Sequence, residues 1–358
     1  MRTVTGVGAF PQTLSTPGPA ARFGLRAALL TVWLALAPLA EAARAYVSNE
    51  DDGTVTVVDT DRLAAVGTIA VGKRPRGLAL SRDGKRLYVA LSGLPKCPPP
   101  MTDADCARLP RDTGADGIAV VDTGTLRPIG TLRGVSDPER VQVSEDGRTL
   151  YVSEEDAARL AMIDVAHAAV LGTVAVGREP EGVRVSPDGR WVLVTSEEDN
   201  AVAIIDAHKR IRHATAAVGQ RPRDVVSTPD GRTAYVSGEA DASVFRIAVP
   251  AGSPATQLLQ LRGGARPMGL ALDARAGRLY VSTGRAGSVA VIAIAEARVV
   301  AEVAVGVRPW GIALAEDGAQ LLTANGPGAD LTVVDTRTLS VAGRIGTGRG
   351  SWGVVAGP

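Results

Sequence analysis

Short apolar runs alternate with polar turns along most of this chain, and the alternation itself recurs. In the first unit the runs are Ala45–Ser48, Thr54–Asp59, Val66–Val71 and Gly77–Ser81. They are rich in β-branched and small residues, and Val55, Val57 and Val58 interleave with polar neighbours, as strands require. The unit opens at Tyr46, Tyr88, Tyr151, Leu193, Tyr235, Tyr280 and Leu322, in steps of 42, 63, 42, 42, 45 and 42 residues. A four-strand unit cannot bury both faces alone, so the units must pack around a ring. The pattern predicts an all-β, seven-bladed β-propeller with four antiparallel strands per blade. The chain enters on the Tyr46 strand and leaves on Trp352–Ala356, a strand of the fourth type. The C-terminal strand is therefore expected innermost, completing the N-terminal blade and removing an exposed edge.

The turns carry their own chemistry. Asp-Gly recurs before the next unit at Asp83-Gly84, Asp146-Gly147, Asp188-Gly189, Asp230-Gly231 and Asp317-Gly318, a hairpin signal because glycine tolerates positive φ. The fifth unit has Asp273-Ala-Arg-Ala-Gly277 instead, which is expected to account for its three extra residues. The second strand ends on Asp59, Asp122, Asp164, Asp206 or Asp335, expected to accept backbone N–H groups of the following turn.

Composition adds limits. Of 358 residues 45% are apolar and only 3% aromatic, so the core is aliphatic. With 39 basic and 38 acidic residues the net charge is +1, which offers no electrostatic case for nucleic acid or an anionic membrane. Arg22 and Arg26 precede an apolar stretch, 27–40, followed by Ala40-Glu41-Ala42. Residues 1–42 read as a signal peptide and 43–358 as the propeller. The expected location is the periplasm, without membrane insertion after cleavage; an uncleaved anchor is the alternative.

The Tyr46-Val-Ser-Asn, Val57-Val-Asp-Thr and Arg74-Pro-Arg-Gly77 motifs resemble YVTN-type β-propeller repeats. The fuller pattern adds Asp137-Pro-Glu-Arg140, Glu179-Pro-Glu-Gly182, Arg221-Pro-Arg223 and Ser351-Trp-Gly-Val-Val355. It is similar to the bacterial PQQ-dependent catabolism-associated β-propeller proteins. That resemblance implies a secreted seven-bladed propeller encoded beside transport and quinoprotein alcohol-oxidation genes. The implied partner is a periplasmic protein of such a system, or a small ligand. The pathway association does not itself imply a bound cofactor, and none is expected.

Propellers bind ligands where blade loops converge on the central channel. The residue after the recurrent proline, just before the innermost strand, should ring one mouth. These positions are Arg76, Glu139, Glu181, Arg223, Met268, Trp310 and Trp352: four charged, then three apolar. Such a ring could take a ligand with one charged and one flat apolar end, since tryptophan faces suit rings and cations. The alternative is a solvated loop position with two tryptophans capping the core. Acidic loops (Glu50-Asp-Asp52, Glu154-Glu-Asp156, Glu197-Glu-Asp199, Glu239 and Asp241) should reach the same face and pair with Arg74, Arg76, Arg221 and Arg223.

The long second step is a loop insertion within 91–117, roughly Gly93–Asp116, holding the two cysteines, Cys97 and Cys106. In an exported chain they are expected to form a disulfide and make the loop a lid or docking finger beside the mouth. The histidines are His167, His208 and His213. His167 and His208 follow the strand-ending aspartates and so fall on the opposite face. A histidine triad or haem ligation at the mouth is disfavoured. The leading reading is a non-enzymatic binding or scaffold protein. Its alternative is a metal-dependent hydrolase or lactonase with Glu50, Glu154 or Glu197 as ligands.

Overall fold

The computed structural model describes residue 9 and residues 43–357, apart from 98–100, 107 and 254. The signal-peptide segment lies outside the described residues except for residue 9. Seven four-stranded antiparallel sheets form a seven-bladed β-propeller. Blade 1 has the strand order Ser351–Ala356, Arg44–Asn49, Thr54–Asp59, Ala64–Ala70, so the C-terminal strand is innermost and joins three N-terminal strands. The other inner strands are Pro75–Leu80, Pro138–Val143, Pro180–Val185, Pro222–Ser227, Leu270–Asp273 and Pro309–Leu314, for blades 2 to 7. Each inner strand contacts the inner strands of both neighbours, closing the ring.

The core lies between the blades, and strand alternation puts it there. In Arg86–Leu91 of blade 2, Leu87 and Val89 pack toward blade 1 with Tyr46, Val55 and Val57. Tyr88 and Ala90 point the other way, onto Val141, Leu150 and Val152 of blade 3. Seven such clusters fill the seven interfaces.

A second device joins the blades at the mouth. Each inner strand that starts at a proline bulges just after it, shifting register between, for example, Pro75 and Leu78. In five blades the N–H freed near this point is captured by a hydroxyl on the adjacent strand, which donates in turn to the next blade, while blades 2 and 7 carry Ala90 and Ala324 at that position. Ser153 Oγ accepts from Arg140 N (3.0 Å) and donates to the Glu181 carbonyl (3.1 Å). Ser282 Oγ accepts from Gly269 N (2.9 Å) and donates to the Trp310 carbonyl (2.8 Å). Ser48, Thr195 and Ser237 do the same in blades 1, 4 and 5. This brings inner strands so close that a Cβ on Gly182 would lie 2.7 Å from the Arg223 carbonyl oxygen.

The expected turn roles hold. Gly84, Gly147, Gly189, Gly231 and Gly318 have φ between 66° and 76°. Asp59, Asp122, Asp164, Asp206 and Asp335 each accept a backbone N–H two or three residues on. One expectation is corrected. The 273–277 hairpin adds no length; two of the three extra residues precede Pro267, where 261–266 stand in place of 218–221 of blade 4, and one lies in the connection between Ser243–Ala248 and Thr256–Gln260.

Candidate functional site

The proline-initiated inner strands place the ring residues at one mouth, and the structure divides them into three groups. Arg76 is buried in the first. Its guanidinium pairs with Glu139 and with Glu155 (2.6 Å), with Asp137 at 3.6 Å and Glu50 at 3.8 Å. Beside it, Arg74 binds Glu50 at 2.8 Å. Burial works against the Glu50 charge, but Arg74, Arg76 and Lys96 outweigh it and lower the Glu50 pKa. Glu155 goes the other way: burial, with Asp137 nearby, raises it despite Arg76.

Arg223 centres the second group. It pairs with Glu197 and with Glu181 (2.6 Å), while Glu239 lies 3.6 Å away. Although burial opposes its charge, Glu181, Glu197 and Glu239 hold its pKa above the ordinary arginine value. The crowding falls on the carboxyls. Burial, reinforced by the Glu197 and Glu155 charges, pushes Glu181 up to about 8 in spite of Arg223. Glu179 is pushed to about 7 by burial and by Glu197, Glu198 and Glu155. Two carboxyls at this mouth thus titrate near neutrality, where proton exchange is accessible.

Met268, Trp310 and Trp352 form the third, apolar group. They meet Glu181 and Arg223 around a small central cavity of about 20 Å³, with Arg140 on its wall. That volume holds about one water molecule, so the mouth is nearly filled by its own side chains. The tryptophan faces are partly taken by the chain's own cations. Arg140 lies 5.0 Å from the Trp352 ring centroid, and Arg308 5.2 Å from that of Trp310. Arg140 reaches Trp352 across blade 2, where Gly77 leaves the space: a Cβ there would lie 3.1 Å from Arg140 Cδ.

The insertion sits over the rim of blade 2, between Arg86–Leu91 and Gly117–Asp122. Its base is closed by Asp112 N donating to the Gly93 carbonyl (3.0 Å), an approach only glycine permits, because a Cβ on Gly93 would overlap the Asp112 carbonyl. Cys97 and Cys106 form a disulfide with Cα atoms 5.7 Å apart. The loop is tied to both flanking blades. Lys96 pairs with Asp51 of blade 1 at 2.6 Å, and Arg111 with Asp156 of blade 3 at 2.6 Å. Arg74, beside the ring, donates to the Leu94 carbonyl (2.9 Å).

The acidic loops reach this face and pair with Arg74, Arg76, Arg221 and Arg223, as expected. The ligand set expected for a metal-dependent hydrolase is not assembled. Glu50, Glu154 and Glu197 belong to different blades, and each is committed to an arginine: Arg74, Arg159 and Arg221 respectively. Among the described residues no three His, Cys, Asp or Glu side chains are grouped to hold a metal ion. The histidines lie elsewhere: His167 binds Asp164 at 3.0 Å, His213 packs on Trp191, and His208 lines a cavity with the Asp146 and Asp188 hairpins.

Sequence reasoning named Arg74 and Arg221 but overlooked the second ring to which they belong. The residues before the prolines include Arg74, Asp137, Glu179, Arg221 and Arg308, all non-glycines with φ between 41° and 54°. Their left-handed backbone turns these charged side chains toward the mouth clusters. It also overlooked Arg140 and Asp224, which stand where other blades have Gly77, Gly182, Gly269, Gly311 and Gly353.

The choice-of-anchor I domain family matches residues 38–213, a span ending in the outer strand of blade 4. No curated protein matches the chain. Among solved structures, hydrazine synthase of Kuenenia stuttgartiensis is similar with TM-score 0.69 and 22% identity, over 81% of this chain and 92% of that one. A periplasmic gluconolactonase of Pseudomonas aeruginosa gives TM-score 0.68 and 18% identity over 88% and 99%. A protein of unknown function from Desulfotomaculum acetoxidans gives 0.70 and 15% over 87% and 98%. At these identities the likeness shows the β-propeller fold alone. Among the described residues no helix is long and apolar enough to cross a membrane.

Proposed function

We propose that this chain is an exported β-propeller that binds a small organic ligand, or a partner's side chain, on the channel mouth without chemical turnover. The observation that carries this reading is the division of the mouth cavity: Glu181 and Arg223 on one wall, Met268, Trp310 and Trp352 on the other. Because the cavity holds about one water, the ligand seats on this platform from outside. Polar atoms of the ligand meet Glu181 and Arg223, and its flat apolar part meets the three apolar side chains. Arg76 serves instead as the buried anchor of its own carboxylate cluster, so charge reversal there tests folding more than binding. Periplasmic location and association with quinoprotein alcohol oxidation rest on the leader and the repeat motifs; the disulfide accords with an oxidising compartment.

Native mass spectrometry of the mature protein, purified gently from its own periplasm, tests the proposal. The wild type should retain a small molecule or a polypeptide, and Trp310→Ala should lose it. A bare wild-type protein overturns the reading.

The second reading is lactone hydrolysis, favoured by Glu181 at about 8 and Glu179 at about 7. A carboxyl poised near neutral pH can donate or accept a proton at an ester linkage. One neighbour in fold is a gluconolactonase by its own description. The reading predicts δ-gluconolactone turnover that is insensitive to EDTA and abolished in Glu181→Gln. Hydrolysis no faster than the spontaneous rate removes it.

A further inference from the structure

Behind the mouth the channel opens into a second cavity, of about 290 Å³, lined by the inner strands. Its two walls differ. Blades 3, 4 and 5 contribute Arg140, Gln142, Arg184 and Asp224. Blades 6 and 7 face them with Leu270, Leu272, Ile312 and Leu314. These polar side chains depart from the repeat. Arg140 and Asp224 replace the glycine that follows the ring residue, and Arg184 stands where Ala79, Ala271 and Ala313 stand in other blades.

Charge is left over in this cavity. Both Asp224 oxygens are engaged by the backbone, accepting from Val225 N and Leu270 N, each at 2.9 Å. Among the described residues no carboxylate lies within ion-pair distance of Arg140 or Arg184. Arg140 Nε is buried with no acceptor. Arg184 donates through Nε to the Val225 carbonyl at 3.3 Å. Burial holds the Arg184 guanidinium below its ordinary pKa; Asp224 pulls it back, and the like charge of Arg140 adds to the lowering. Two guanidinium groups and the single Asp224 carboxylate leave this space with a net positive charge, and a bound carboxylate relieves it by charge-assisted hydrogen bonds. Asp224, adjacent, disfavours a second negative charge, so a monoanion fits better than phosphate.

We propose that the axial cavity binds a short-chain organic carboxylate, its head held by Arg184 and Arg140 and its aliphatic chain laid against Leu270, Leu272, Ile312 and Leu314. The site adjoins the mouth platform through Arg140, which lines both cavities, whereas Arg184 and the aliphatic wall belong to this cavity and not to the mouth.

Calorimetric titration of the mature propeller with hexanoate, hexan-1-ol and inorganic phosphate at neutral pH tests it. Hexanoate should bind one to one, at least about tenfold tighter than the alcohol or phosphate, the factor expected of a paired charge. Arg184→Met, which keeps the apolar stem, should weaken hexanoate by at least about tenfold. Leu272→Trp, filling the aliphatic end, should do the same, and Trp310→Ala at the mouth should leave hexanoate binding unchanged. No hexanoate binding at millimolar concentration, equal affinity for the alcohol, or full affinity in a folded Arg184→Met protein overturns the proposal. If Arg184→Met does not fold by circular dichroism, undiminished affinity in Leu272→Trp overturns it equally.

Discussion

The two arcs of the mouth share one backbone and use it differently. From blade 2 to blade 5 the ring residues Arg76, Glu139, Glu181 and Arg223 are knitted into ion-pair clusters with the neighbouring loops. From blade 6 round to blade 1, Met268, Trp310 and Trp352 pack with one another's blades and accept stacked arginines. Beneath both arcs the same hydroxyl links the same carbonyl to the next blade, with Ser153 on one side and Ser282 on the other. The repeat therefore separates two tasks. The hydroxyl and the close-packed glycine hold the ring, which frees the exposed position to diverge. Buried charge on one arc is a poor source of stability, because desolvation offsets its Coulombic gain. Its retention is better understood as shaping what the mouth can bind.

The largest test of that contrast is Arg223→Ala. It strands Glu181, Glu197 and Glu239 without their shared cation, and removal of one partner from a buried cluster costs about 3–5 kcal/mol. Urea unfolding should show that loss, whereas Trp310→Ala on the partly exposed apolar arc should cost clearly less. Equal losses would mean the charged arc is no more than solvated surface.

A pH series separates the arcs next. Glu181 titrates at about 8 when folded, against an ordinary 4.5. Well below 4.5 it is protonated in folded and unfolded chains alike. Between 4.5 and 8 the unfolded chain releases the proton and the folded one keeps it, so stability falls as pH rises, and levels off above 8. Glu181→Gln should remove this component, gaining stability relative to wild type as pH rises from about 5 to about 8, the window set by that linkage. A difference between the two proteins that stays constant across this window would show that Glu181 is ionised throughout.

The smallest effect concerns what the arcs share. Ser153→Ala and Ser282→Ala should each cost about 1–2 kcal/mol, since each leaves an N–H and a carbonyl without their partner. The two values should agree; a large difference would mean that the arcs are held by different means.

The seven blades and the closure were readable from spacing alone, because Tyr46, Tyr88 and their counterparts mark a period that only a ring of sheets satisfies. The seven ring positions could be named because a recurrent proline flags six of them and Trp352 follows Ser351 at the equivalent place. That acidic loops pair with the arginines could be read, but not which carboxylate meets which arginine, because Glu155 of blade 3 reaches Arg76 of blade 2 and Glu197 of blade 4 reaches Arg223 of blade 5. The hydroxyl clasp was visible as a repeated letter, in Tyr-Val-Ser, but its two-sided bonding depends on a bulge that no local pattern announces. Arg140 and Asp224 left a legible mark, a broken glycine in the Pro-x-Gly motif. Only the channel geometry gives that break a meaning.

Blade 1 is assembled from residues 44–70 and 351–356. During synthesis its first three strands must wait, with one edge unsatisfied, until the last strand has emerged. The ring has a seam, and the order in which the polypeptide arrives decides when it can be fastened. A circular permutant beginning at the hairpin between the two inner strands of any other blade would move that seam while leaving every pairing in place, so that the timing of closure could be changed without changing the folded protein.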